Sequence, residues 1–303
     1  MSNIVGIGAN VCDTLIRVSH YPQEDTKLRA DSTVTAGGGP CATGLVAASR
    51  LGESAAYIGV LTDDNAGKFL MEDMKRYNVS TDYVSVCTGH TSFSSFVLLS
   101  GDTSSRTCVF HKGDIPPYVL TKEAETAIAR AKVLMVDGNE MSAAIEGAKI
   151  AKENGTKVLY DAGGLYEGVE NLLPFADILI PSEEFSLAHS KKDNVYDAAK
   201  WLYETYSPEV VVITCGKKGG IIYDGKDMKD YPAFLVNAID SNGSGDVFHG
   251  AFAFCTAKCY DYYKSCVFSS AVSALKCTKV GARSAVPSYD DVIEFLKERG
   301  INV

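Results

Sequence analysis

Nowhere in the 303 residues does an uninterrupted apolar run of about 20 residues occur, so we expect no membrane span. The opening Met1-Ser-Asn-Ile-Val-Gly lacks a basic region and a long apolar run, so it does not read as a secretory leader, and the expected location is cytoplasmic. Positive charge is in short supply. Lys and Arg number 29 against 38 Asp and Glu, a net charge of −9, which argues against a nucleic-acid partner because phosphate backbones are met by clustered cations. A local basic pocket remains compatible with that balance. Nine cysteines are scattered with no CxxC pair. Cys255 and Cys259 lie one helical turn apart, yet no histidine accompanies them at zinc spacing, so they read as reduced, mostly buried thiols. With no internal repeat, low-complexity segment or linker, residues 1–303 read as one continuous domain. Two nucleotide signatures are missing as well. Gly6-Ile-Gly8 has no third glycine, and residues 13–18 carry a strand pattern where a dinucleotide fold needs a helix. No GxxxxGK[ST] occurs, so any phosphate must be held without that loop.

What is present suffices for a core, since 46% of residues are hydrophobic and 22% charged. The chemistry concentrates in Asp240-Ser-Asn-Gly243-Ser244-Gly245-Asp246-Val-Phe-His249-Gly250. An apolar run over 231–239 reads as a strand before it, and 247–258 reads as a buried helix after it. Gly243 and Gly245 flank Ser244, so the backbone can turn sharply and present bare N–H groups at a helix start, where an anion is favoured. Asp246 then stands in the first turn. A carboxylate that takes a hydroxyl proton, beside amides that hold the charge of a moving phosphate, is what phosphoryl transfer to an alcohol requires. Alone, the same residues also fit an ordinary turn with an Asp on the helix dipole. A second glycine loop, Gly37-Gly38-Gly39-Pro40, enters a small-residue helix that Gly52 ends, and suits a polyhydroxy ligand.

From residue 121 onward strands and helices alternate, with strands at 133–137, 157–161, 178–181 and 210–214 and helices at 121–130, 142–154 and 193–206. A hairpin over 220–231 and helices at 263–277 and 290–299 complete the series. The pattern implies an α/β protein with a mostly parallel sheet covered by helices, whose ligands bind at the carboxyl ends of the strands. Asp13, Asn139, Asp161, Ser182-Glu183, Thr214-Cys215-Gly216 and Asp246 fall there. Earlier in the chain, strands are expected at 4–9 and 55–61 and an amphipathic helix at 67–77 (Phe69, Leu70 and Met74 inward). Strands at 13–18 and 27–35, with a hairpin of 91–100 and 106–110 around Gly101-Asp102, read instead as a small separate sheet, spanning about 13–35 and 84–112.

Together these motifs resemble the ribokinase family, the phosphofructokinase-B type of carbohydrate kinases, over essentially the whole chain. Supporting pieces stand in order: Ile58-Gly59 with Asp63-Asp64 and Gly67, Val212-Ile213-Thr214-Cys215-Gly216 with Gly219, and Gly281-Ala282 ahead of Pro287. The resemblance implies a ribokinase-like fold with helices on both sheet faces and the small sheet as a lid over the sugar. It implies Asp246 as catalytic base and Gly243, Ser244 and Gly245 as anion hole. Asp13, Asn10, Gly38, Gly39, Thr43 and Asn139 would bind substrate, and Ser182, Thr214, Gly216 and Gly219 would border ATP. Mg-ATP is the implied phosphate donor, with Glu183 reaching the magnesium through water and a potassium-like monovalent cation near Asp240 and the 278–284 loop. Two departures stand out: Thr43 replaces the family's usual Asn, and Ser182-Glu183-Glu184-Phe185 replaces Asn-x-x-Glu.

Within the family the motifs look most like 6-deoxy-6-sulfofructose kinases. A sulfonate calls for Arg or Lys, yet Asn139-Glu140 stand where those kinases present a basic residue, so a neutral ketohexose is at least as well matched. A nucleoside kinase is an alternative if Phe93, Phe96 and Phe110 wall a base. Those rings serve equally as a lid-to-lid homodimer surface. The altered 182–185 motif also admits a binding protein that has lost catalysis. His249 reads as a helix residue packed near the site.

Overall fold

The computed structural model describes residues 2–103 and 105–302; Met1, Ser104 and Val303, which the expectations for the leader, the lid span and the domain include, lie outside. In chain order the strands are β1 (Ile4–Ile7), β2 (Val11–Val18), β3 (Ser32–Gly38), β4 (Ala55–Thr62), β5 (Val79–Cys87), β6 (Ser94–Ser100) and β7 (Arg106–His111). Then follow β8 (Val133–Val136), β9 (Lys157–Ala162), β10 (Ile178–Pro181), β11 (Val210–Thr214), β12 (Gly220–Tyr223) and β13 (Met228–Tyr231). The helices are α1 (Pro40–Arg50), α2 (Asn65–Arg76), α3 (Lys122–Arg130), α4 (Met141–Asn154) and α5 (Glu183–Ser190). After them come α6 (Val195–Tyr206), α7 (Ser244–Ala257), α8 (Tyr262–Cys277) and α9 (Tyr289–Lys297).

Nine strands form one sheet in the order β13-β12-β11-β10-β9-β8-β1-β4-β5. β12 runs antiparallel to both of its neighbours, β11 and β13; every other pairing in this sheet is parallel, and the inner strands are buried along their length. Alternate residues feed two cores. Ile4, Met135 and Val212 pack with α1, α7 and α8, whereas Val5, Leu134 and Val211 pack with α3, α4 and α6. Helices therefore cover both faces, as continuous apolar strands require.

The second sheet, in the order β3-β2-β6-β7, is the lid. Its strands are drawn from two chain segments. Only residues 8–10 separate β1 of the large sheet from β2 of the small one, and β3 returns straight into α1.

Four expectations need correction. The lid's second segment starts at Ser94, because β5, which spans residue 84, pairs with β4 in the large sheet. The strand expected over 27–35 is instead Ser32–Gly38, since β2 offers no partner beyond Arg17↔Ser32. The run after Tyr231 forms no strand. Pro232 has no N–H to donate, and although Phe234 and Val236 pack on the core, Leu235 is 93% exposed and no strand pairs with the run. Finally, α5 was not expected; Ser182 caps it, its side chain accepting from Phe185 N at 3.1 Å.

Candidate active site

Two glycine loops face each other across one cavity of about 540 Å³. One is the start of α7. Gly243 sits at φ 73°, a left-handed conformation, and a Cβ there would meet Ala282 Cβ at 2.6 Å, so the turn admits glycine alone. No side chain caps the helix. Ser244 N–H donates to Ser241 O at 3.2 Å, and the first-turn amides of Gly245 and Asp246 are left at the positive end of the helix. The Asp246 carboxyl opens into the same cavity. Burial pushes it above the ordinary aspartate range, against the opposing pull of His249, Arg106 and Lys276.

The other loop ends β3 and starts α1. Gly39 stands at φ 92°, followed by Pro40 at the first helical turn. A Cβ on Gly38 would meet Asp13 Oδ2 at 2.0 Å, so the absent side chain makes room for that carboxylate. Asp13 points inward from β2 and accepts from Ser95 Oγ at 2.6 Å. Burial raises its carboxyl too, with the Ser95 bond pulling the other way.

These loops meet because α1 and α7 cross at Gly44 and Gly250. A Cβ on Gly250 would lie 2.1 Å from the Gly44 carbonyl oxygen. The close approach brings the two glycine loops together at one cavity. Behind α7, His249 is buried with Nδ1 2.6 Å from Gly245 O and 3.2 Å from Asp161 Oδ2, and Nε2 3.0 Å from Ile180 O. It thus ties the anion loop to β10 and to Asp161, whose carboxyl is raised by burial.

Of the residues singled out from the sequence, Asp13, Gly38, Gly39, Asn139, Ser182, Thr214, Gly243, Ser244, Gly245 and Asp246 all line this cavity. Six do not. Asn10 and Thr43 are buried outside it, where the buried Arg283 donates to Asn10 Oδ1 at 2.9 Å and reaches Thr43 Oγ1 at 3.5 Å. Gly216 and Gly219 form the turn after β11, and Glu183 is ion-paired to Lys218 at 3.2 Å. Asp240 stands behind the anion loop, its Oδ1 accepting from Asn242 N and its Oδ2 from Gly281 N, both at 2.8 Å, and its carbonyl accepting from Lys276 Nζ at 2.7 Å. The phenylalanines divide. Phe93 and Phe110, with centroids 6.0 Å apart, line the cavity, whereas Phe96 points out and is 53% exposed.

Sequence reasoning missed three residues. Arg283 also donates to Gly38 O at 2.5 Å and pairs with Asp73 Oδ2 at 2.7 Å, fixing the glycine loop from below. Asp137 is fully enclosed and accepts from Ala9 N (2.8 Å), Cys41 N (3.0 Å) and Asn139 N (2.9 Å). Arg106, on the lid, donates to Asn242 Oδ1 at 2.6 Å and so links lid to anion loop. Only the polar residue ending the apolar run 133–137 hinted at any of them.

Among the described residues no three His, Cys, Asp or Glu side chains gather into a metal cage. That donor set fits a magnesium ion carried on nucleotide phosphates and touched by one or two carboxylates.

A model of the pfkB family of carbohydrate kinases matches residues 1–288. Ribokinase from Haemophilus influenzae is 25% identical, covering 96% of this chain and 97% of its own length. A 5-dehydro-2-deoxygluconokinase from Clostridium botulinum is 27% identical over 86% of this chain and 84% of its own. Arabidopsis thaliana ribokinase, solved with ribose and ATP, superposes with a TM-score of 0.88 at 21% identity, covering 98% of this chain and 99% of that one.

Proposed function

The chain belongs to the pfkB family of carbohydrate kinases, and from that premise we propose that it phosphorylates a hydroxyl of a free monosaccharide with Asp246 as the general base. It is an ATP-dependent carbohydrate kinase. The assignment of roles rests on one observation: the Asp246 carboxyl and the uncapped start of α7 open into the same cavity as Asp13 and the Gly38-Gly39 loop.

In this reading Asp13 and Asn139 accept and donate to sugar hydroxyls and fix one of them against Asp246. Asp246 takes that hydroxyl's proton as the oxygen attacks the γ-phosphorus in line, and the bond from that phosphorus to the bridging oxygen breaks, so ADP leaves. The amides of Gly245 and Asp246 carry the charge that develops on the phosphoryl oxygens. Ser182 and Thr214 border the nucleotide, and Glu183, next to Ser182 at the start of α5, is the carboxylate we assign to the water shell of its magnesium. Magnesium bound with ATP neutralises phosphate charge. Phe93, just before the lid, and lid residues Val97 and Phe110 supply an apolar wall to the cavity. A ketohexose or related neutral sugar is the substrate class we favour over a sulfosugar, because a sulfonate calls for Arg or Lys where Asn139-Glu140 stand after β8. The Phe93–Phe110 pair keeps a nucleoside as the second reading, since a base needs such a face. We also propose a homodimer through the outer face of the lid.

The test is ADP release from Mg-ATP across sugars, sugar acids, sulfosugars and nucleosides. Asp246→Asn is expected to keep ATP binding and lose turnover by roughly 10³-fold or more. Near-normal turnover in that variant overturns the mechanism, and acceptance of nucleosides alone overturns the substrate class.

A further inference from the structure

We infer that Lys276 is a tethered ammonium that takes the place of a bound monovalent cation behind the anion loop, so that this kinase works without potassium. Lys276 is the penultimate residue of α8 and is 0% exposed. An ammonium taken out of water costs several kcal/mol unless it is paired and hydrogen-bonded. Here the named partner is Asp240: the ammonium donates to its carbonyl oxygen at 2.7 Å and lies 3.9 Å from its carboxylate.

Asp240 in turn joins two loops. Its carboxylate oxygens accept the N–H of Asn242, which leads into Gly243, and the N–H of Gly281. The end of α8 is fastened to the same loop twice more, by Ile239 N to Cys277 O at 2.7 Å and Ser273 Oγ to Ser244 O at 2.9 Å. A group-1 cation binds where several oxygens together replace its hydration shell. All three Asp240 oxygens already have internal donors, and one of those donors is itself a positive charge. The field that such an ion would supply is therefore built into the chain. It reaches the site, since Lys276 is among the charges that oppose the rise of the Asp246 carboxyl.

The catalytic arm of the test rests on the proposed function; the stability arm does not. Thermal unfolding of the wild-type protein in potassium, sodium and tetramethylammonium chlorides of equal ionic strength is expected to give one midpoint. Lys276→Met, which keeps an unbranched chain one atom shorter and removes the charge, is expected to unfold earlier and to recover partly with potassium or ammonium but not with tetramethylammonium. With an accepted sugar, wild-type turnover should be flat in potassium, while the variant loses about tenfold or more and regains part of it with ammonium. A potassium-specific rise in the wild-type midpoint, or saturable activation of wild-type turnover, overturns the inference. So does Lys276→Met with wild-type midpoint and turnover in potassium-free buffer. Should that variant fail to fold, the wild-type salt comparison decides alone. Should no sugar be phosphorylated, the proposed function fails while the midpoint comparison still stands.

Discussion

Asp13, Asp161 and Asp246 face one cavity, and burial raises the carboxyl of each. A base must be unprotonated to act, so kcat/KM should fall on the acid side at an apparent value above the roughly 3.9 of a free aspartate. A pH–rate profile whose acid limb sits at or below that value would mean the site stays hydrated. Arg283 makes a different kind of prediction. Its partner Asp73 is 5% exposed, so Arg283→Ala leaves a buried carboxylate without its cation and should cost about 3–5 kcal/mol in a urea titration. Neither residue was legible in the sequence. Arg283 lies 210 positions from Asp73, and no local pattern joins them. Asp13, Gly38 and Asp246, by contrast, sit in motifs whose chemistry is local, and the structure brings them together as expected.

The crossing of α1 and α7 sets the site at the level of elements. Gly250→Ala would drive a methyl into the Gly44 backbone, with no flexible side chain to yield, and should destabilise by about 1–3 kcal/mol or more. Unfolding at the wild-type midpoint would show that the helices can part freely. The start of α2 offers a milder test. Asp64 Oδ1 accepts from Gly67 N at 2.7 Å, and Asp64→Ala should cost about 1 kcal/mol. Burial tends to raise the Asp64 carboxyl, but hydrogen bonds from Thr62, Gly67 and Ser92 outweigh it and hold it below the ordinary range. Its folded value is depressed, so its contribution is complete above about pH 4 and is lost as the pH falls further. A stability curve flat down to strong acid would contradict this. Elements of strong periodicity, such as α4, α6 and the parallel strands, were readable because burial on one or both faces writes itself into the sequence. The segment after Tyr231 was misread for a physical reason. Its alternation is real, but pairing depends on a neighbour that the run itself does not encode.

At the scale of the whole molecule, the large sheet carries the anion loop and the small sheet carries Asp13 and most of the apolar wall. The lid's two faces differ in what they meet. Cys108 and Phe110 line the cavity, while the alternate residue Val109 and its cross-strand neighbour Phe96 lie on the other face, both exposed. If that outer face holds two copies together, Phe96→Glu with Val109→Glu should convert dimer to monomer in sedimentation velocity. A wild-type protein that is monomeric at assay concentration rules the dimer out. The inner face has a practical consequence. Among the described residues only Cys108 and Cys259 are exposed cysteines, and of these two only Cys108 lines the cavity. In a Cys259→Ser background, a maleimide dye would report occupancy covalently. Sugar in the pocket slows the labelling of Cys108, and the protection curve yields a dissociation constant without any turnover at all.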